Sequence, residues 1–139
     1  MSRLFTESYW GMLWRSAVLV IFYHRCALCG DPTISHLEVH HVVPRRVKLL
    51  RWDPYNGVPV CRVVTRYNEH KWNGMTCHQY AATRKGRALI DAMVQRTYLD
   101  EMEQIPFKEF LVQHNISEPE FERLQMKKLK EVIRGSTNN

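Results

Sequence analysis

At 139 residues the chain has the length of one compact domain, and with 45% apolar residues it can bury a core and is not disordered by composition. Its formal net charge of +6 favours a polyanionic partner, nucleic acid first, although a modest cationic excess is also ordinary solvated surface. The longest apolar run, Ala17 to Tyr23, is too short for a bilayer, and Met1 to Tyr9 lacks the pattern of a secretory leader, so a reducing cytoplasm and no membrane partner are expected.

The first element is a helix over about Thr6 to Tyr23. Thr6 can cap it, and Trp10, Leu13, Trp14, Ala17 and Val18 recur at helical spacing. Turn signals follow at Cys26 to Gly30 and at Asp31-Pro32. Leu37 to Val43 is β-branched and alternating enough for a strand that Pro44 ends. A basic loop closes on the turn Asp53-Pro54-Tyr55-Asn56-Gly57, and Val58 to Cys61 returns as a second strand. A helix is expected over about Arg62 to Lys71, stopped by Asn73-Gly74. A longer one follows over about Thr83 to Met102, with Leu89, Ile90, Met93, Val94 and Tyr98 on one face. Pro106 opens a short helix through His114. Ser117 and Glu120 form a capping box before a last amphipathic helix, whose apolar face would be Phe121, Leu124, Leu129, Val132 and Ile133. The tail from Gly135 is expected to fray.

Two constellations carry chemistry. Cys26-x-x-Cys29 on a tight turn suits one zinc ion, but tetrahedral closure needs two more ligands, for which Cys61 and Cys77 are the candidates and His78 the substitute for the last. Such an ion contributes on the order of 10 kcal/mol to folding a small core. The alternative is four buried thiols without a metal. The second constellation is His40-His41. Neighbours on a strand point to opposite sides, so one imidazole can bind a cation while the other takes a proton from water. The alternative is an exposed histidine beside a half-buried one.

Taken together, Cys26-x-x-Cys29-Gly30, then Val39-His40-His41-Val42-Val43-Pro44-Arg45-Arg46, then Asn56 and Cys61 resemble the HNH (ββα-metal, His-Me finger) endonucleases. The pieces fall in the family's order between about Arg15 and Gly74, and the segment Arg15 to Leu19 is similar to the helix that precedes the first knuckle. The resemblance implies an α+β fold, with a small zinc-knuckle ββα-metal core and preceding helix in residues 1–80. Residues 81–139 would then be a helical extension, packed on the core or binding DNA or a partner. It also implies His41 as general base, His40 as ligand of a catalytic divalent cation (Mg2+, Mn2+ or Zn2+), and Asn56 as the loop residue that steadies the base. Where the family continues with a second cysteine followed by His or Asn, this chain has Val64 and Thr65. Asn68-Glu69-His70-Lys71 instead resembles, more loosely, phage recombination endonucleases of the NinG/Rap type. On that alignment either Asn68 or His70 is the second catalytic ligand, and Cys77 completes the structural zinc site with Cys26, Cys29 and Cys61.

The implied activity is metal-dependent hydrolysis of DNA phosphodiesters, on branched or recombination-intermediate DNA in a bacterial or phage-infected cell. A homodimer through the last helix would let two sites cut opposing strands. Arg45, Arg46, Lys48 and Arg51 in the loop, Arg62, Arg66 and Lys71 after the second strand, and Arg84, Lys85 and Arg87 beyond it are the candidate phosphate contacts. Trp52, Tyr55 and Trp72 either stack on bases or pack as anchors. The alternative function is a zinc-stabilised DNA-binding module without catalysis.

Overall fold

The computed structural model describes residues 6–135, so the expectations for the first five residues and for the tail beyond Gly135 lie outside it. The fold is mixed α+β: among the described residues, six α-helices surround one two-stranded antiparallel sheet. Helix α1 is Glu7–Ile21, and the Thr6 side chain caps it by accepting from the Tyr9 amide at 3.2 Å. Tyr23 and His24 follow with φ of 57° and 58°, two left-handed residues that turn the chain sharply out of the helix. A single 3-10 turn, Ile34–His36, leads into β1, Leu37–His41. Strand β2 is Gly57–Cys61, in a register that sets His41 opposite Gly57 and Leu37 opposite Cys61.

Every residue of β2 is buried, because α1 covers one side and α2, Cys77–Ala81, the other. Gly57 is required there. A Cβ would lie 2.6 Å from a Val18 methyl and 2.7 Å from the Trp14 ring.

Three corrections to the sequence reading have physical causes. Residues 62–71 form turns rather than a helix. The Asn68 amide accepts from the Thr65 amide at 3.0 Å and donates to the Val63 carbonyl at 3.2 Å, so a side chain takes the backbone groups a helix would use. The long helix expected over 83–102 is broken into α3, Arg84–Met93, and α4, Arg96–Glu103, by an extended Val94. In a continuous helix Ile90 and Leu99 would point to opposite sides. The break lets Ile90 enter the core beneath the cysteines and Leu99 enter a second one with Val43, Leu49 and Leu50.

The last helices are α5, Phe107–Gln113, and α6, Glu118–Gly135, the latter opened by the Ser117–Glu120 box. The third correction lies on α6. Met126 and Leu129 are its buried residues, packed with Trp10, Trp14, Ala17 and Val18, whereas Leu124 is 56% exposed. The C-terminal helices therefore share a core with α1. No described helix is long and apolar enough to cross a membrane.

Candidate metal centre and the adjoining histidine cavity

Cys26 and Cys29 come from the turn after α1, Cys61 from the end of β2 and Cys77 from the first residue of α2. Their four sulfurs lie within 4.8 Å of one another. A tetrahedron with Zn–S bonds of about 2.3 Å needs sulfur separations near 3.8 Å, so the set fits one such ion with small adjustments. The Cys29–Cys61 pair stands at 3.5 Å.

The four thiols differ in how readily they ionise. The Cys26 thiol is pulled down to about 5, first by the hydrogen bond from Cys77, against the opposing effect of burial. Burial raises Cys29 and Cys61, and for Cys77 the Cys26 hydrogen bond comes first and burial second. The cluster therefore accepts one negative charge readily and resists more until a cation compensates them.

Donors surround the sulfurs. Trp72 Nε1 donates to Cys77 Sγ at 3.4 Å and stacks on Tyr80 with centroids 3.8 Å apart, which makes it a packing anchor of the knuckle. Asn68 Nδ2 donates to Cys77 Sγ at 3.5 Å. Asp31, fully buried, holds His36 Nδ1 at 2.8 Å and lies 3.7 Å from Cys61 Sγ. Burial pushes the Asp31 carboxyl up, but His36 and Thr33 outweigh it and leave its pKa near 2.

His40 and His41 leave β1 on opposite sides. His41 is sandwiched: its ring stacks on Trp14 with centroids 3.9 Å apart, and its Nε2 donates to the Arg51 carbonyl at 2.8 Å. Because a carbonyl can only accept, the neutral ring carries its proton on Nε2 and leaves Nδ1 as the basic nitrogen. Burial is the main cause that lowers its pKa to about 4. The Arg51 carbonyl works the other way, and the Arg45 charge adds to the lowering.

Asn56, expected beside the base, does not touch it. Its Oδ1 accepts from Val43 N at 2.6 Å, and its Nδ2 donates to the carbonyls of Val43 and Leu50 at 3.0 and 2.9 Å. It thereby pins the loop whose next carbonyl, that of Arg51, holds His41.

A cavity of about 680 Å³ opens beside His40 and His41, walled by Pro44, Ala81, Arg87, Ile90 and Arg96 among others. His78, which follows Cys77, is not part of that lining but stands close to His40: its ring lies 6.0 Å from that of His40, and its Nδ1 is 3.8 Å from a Glu38 carboxylate oxygen. Burial lowers the His40 pKa, the charge of His78 lowers it further, and Glu38 opposes both.

Neither expected second ligand stands beside His40, as His78 does. Asn68 is 1% exposed with both ends of its amide engaged near the sulfurs, and the His70 side chain is 89% exposed beside Glu69. His78 is the residue the sequence reading assigned elsewhere. Its signal was adjacency, since successive helix residues diverge by about 100° and so can serve two neighbouring sites.

The candidate phosphate contacts divide. Arg45 and Arg51 lie 3.9 and 4.0 Å from Glu7, Lys48 lies 4.0 Å from Glu118, and Arg62 donates to the Ser35 carbonyl, so these four also brace the fold. Arg66 covers Tyr67 and Lys71 covers Trp72. Arg46, Arg84, Lys85 and Arg87 are exposed, and Arg87 alone of the ten borders the histidine cavity. Trp52 packs against Trp14 and His41, and Tyr55 against Tyr98, as loop anchors. Comparison of the chain with protein-family models, curated proteins and solved structures found no match.

Proposed function

We propose that this protein is a metal-dependent nuclease of the HNH type, hydrolysing DNA phosphodiesters in the cavity bordered by His40, His41 and Arg87, with His78 close to His40, on a scaffold held by zinc at the four cysteines. The observation that carries this reading is the pairing of a closed sulfur site with an open histidine site. Cys77 completes the first, and His78, the next residue, lies 6.0 Å from His40, which lines the second. In the HNH pattern a cysteine is followed at once by a histidine. Cys77-His78 meets that pattern after a long insertion behind Cys61, which replaces Asn68 and His70 in the ligand role.

Two imidazoles and the nearby Glu38 are donor types that suit a first-row divalent cation, which would have to draw them together, because among the described residues only the four cysteines already stand close enough to hold an ion. Bound there, the cation would supply charge stabilisation at the phosphoryl oxygens. The protein's own groups do the rest. Neutral His41 takes a proton at Nδ1 from a water in the cavity as that water's oxygen bonds to phosphorus. The bond to the leaving oxygen then breaks, and the leaving oxygen gains its proton from solvent. Trp14 and the Arg51 carbonyl keep the His41 ring from turning. Arg87 borders the cavity, has no carboxylate within ion-pair distance among the described residues, and is available for a non-bridging phosphate oxygen.

The test is nicking of supercoiled plasmid with magnesium, manganese or zinc added. His41→Ala should lower the rate by roughly a hundredfold or more. His78→Ala should lower it and raise the cation concentration needed, with one zinc per chain retained. A wild-type protein that cuts under none of these conditions overturns the nuclease reading. It would favour the alternative of a zinc-stabilised DNA-binding module, which draws support from the packing of the His41 ring against Trp14 and Trp52.

A further inference from the structure

Helix α6 carries a line of cations outside the cavity and outside the ten candidate contacts. Arg123, Lys127, Lys130 and Arg134 recur at spacings of four, three and four residues, so they share one face over about 16 Å of helix. All four are exposed, and the opposite face of α6 is buried by Met126 and Leu129 against α1. Among the described residues, Arg123, Lys127 and Lys130 have no carboxylate within ion-pair distance. The acids of the first turns are used elsewhere or flank the line: Glu118 holds Lys48, and Glu122 lines a cavity against α1 and the loop. Lys128 points away from the line, to Asp53 at 3.4 Å between Tyr55 and Tyr98.

Like charges three or four residues apart cost a few tenths of a kcal/mol per pair, and the line contains three such neighbours in succession, offset in part by Glu120 and Glu131, which stand at the same spacings from Arg123 and Lys127. A polyanion laid along it removes that repulsion. We propose that this face of α6 is a docking surface for the sugar–phosphate backbone of duplex DNA, separate from the histidine cavity and independent of cleavage there. An anionic lipid surface fits less well, because a membrane-bound helix needs a free apolar face and that of α6 is occupied by α1.

The experiment is fluorescence anisotropy of a 30-base-pair duplex with the full chain, without added magnesium or manganese, over a range of salt concentrations. Each lost phosphate contact lowers the slope of log affinity against log salt by about 0.9. The variant Arg123→Gln/Lys127→Gln/Lys130→Gln should therefore lose about two to three units of slope and bind at least about tenfold more weakly at moderate salt. The charge-preserving variant Arg123→Lys/Lys127→Arg/Lys130→Arg should bind like wild type. Lys130→Gln should lower the slope where Lys108→Gln, an exposed cation on α5, leaves it unchanged.

Equal effects of Lys130→Gln and Lys108→Gln overturn the proposal, as does a neutral triple variant that binds normally. Stronger binding to phosphatidylserine vesicles than to DNA also overturns it. Binding that depends on the line in a protein that never cuts leaves this surface standing and removes only the nuclease reading.

Discussion

The sulfur cluster and the histidine cavity lie side by side, joined through Cys77 and His78, yet they are built in opposite ways. The cluster is closed. Four identical donors face one point, three of them are buried, and Asn68, Trp72 and Asp31 crowd around them. The cavity is open. His40 and His41 border accessible space, His78 stands 6.0 Å from His40, and His41 is held by its ring face and one nitrogen. A site saturated by protein donors stabilises a fold, and one that leaves positions vacant can admit water and substrate. On the proposed reading, the contrast gives stability to one residue and chemistry to its neighbour within a single dipeptide.

The sharpest way to break that contrast is to substitute each member of the dipeptide. If zinc fills the cluster, as proposed, Cys77→Ser should release the metal during purification and lower the melting temperature by about 10 °C or more, since the binding free energy of a structural ion adds to that of folding. His78→Ala should keep one zinc per chain and melt within about 3 °C of wild type. Elemental analysis with thermal melting checks both. If the two variants lose zinc alike, the sites are not separate.

Asn56→Ala tests whether the cavity depends on the loop behind it. Its buried amide makes three hydrogen bonds, and losing them should cost about 2–4 kcal/mol in a urea titration. The zinc content should stay unchanged. Loss of zinc in this variant would mean that the loop supports the cluster as well.

The smallest effect is expected where α4 and α6 fasten the same loop. Buried Asp53 accepts from the Tyr98 hydroxyl, from Lys128 at 3.4 Å and from the Tyr55 amide at 2.9 Å. Burial, then the Asp53 charge, raises the Tyr98 pKa above its ordinary value of 10.0. The folded state therefore holds the phenol proton more tightly than the unfolded chain. The stability this gives is complete below pH 10 and is lost as pH rises beyond it. Tyr98→Phe should cost about 1 kcal/mol at neutral pH and flatten the fall in stability above pH 10, measured by denaturant titration across that range. An unchanged alkaline slope would place the sensitivity elsewhere.

Much of the local structure could be read from the chain, because the signals were themselves local. Thr6 caps α1, and Ser117 with Glu120 opens α6, since a cap needs only residues three apart. The alternation in Leu37 to His41 and the β-branched run before Cys61 mark the strands that pair. Helix breaks without proline or glycine were not legible. Val94 interrupts α3–α4 because two separate cores must be filled, and residues 62–71 stay unwound because Asn68 bonds its own neighbours and the sulfurs.

By itself the sequence offered Cys26 and Cys29 as a metal-binding pair with Cys61 and either Cys77 or His78 as candidates to close it, and it gave the capped helices, the two strands and the histidine pair, for these rest on residue type and short-range spacing. Only the tertiary structure decided which residue meets His40. Asn68, His70 and His78 offer comparable chemistry within eleven residues. The choice among them depends on how the turns of 62–71 bring α2 back over β2, and on Gly86, where a Cβ would lie 1.9 Å from the Tyr80 carbonyl oxygen and push α2 and α3 apart. Those are contacts between segments distant along the chain. The physical reason is that a ligand's direction is set by the packing of the element that carries it, which no stretch of sequence around it contains.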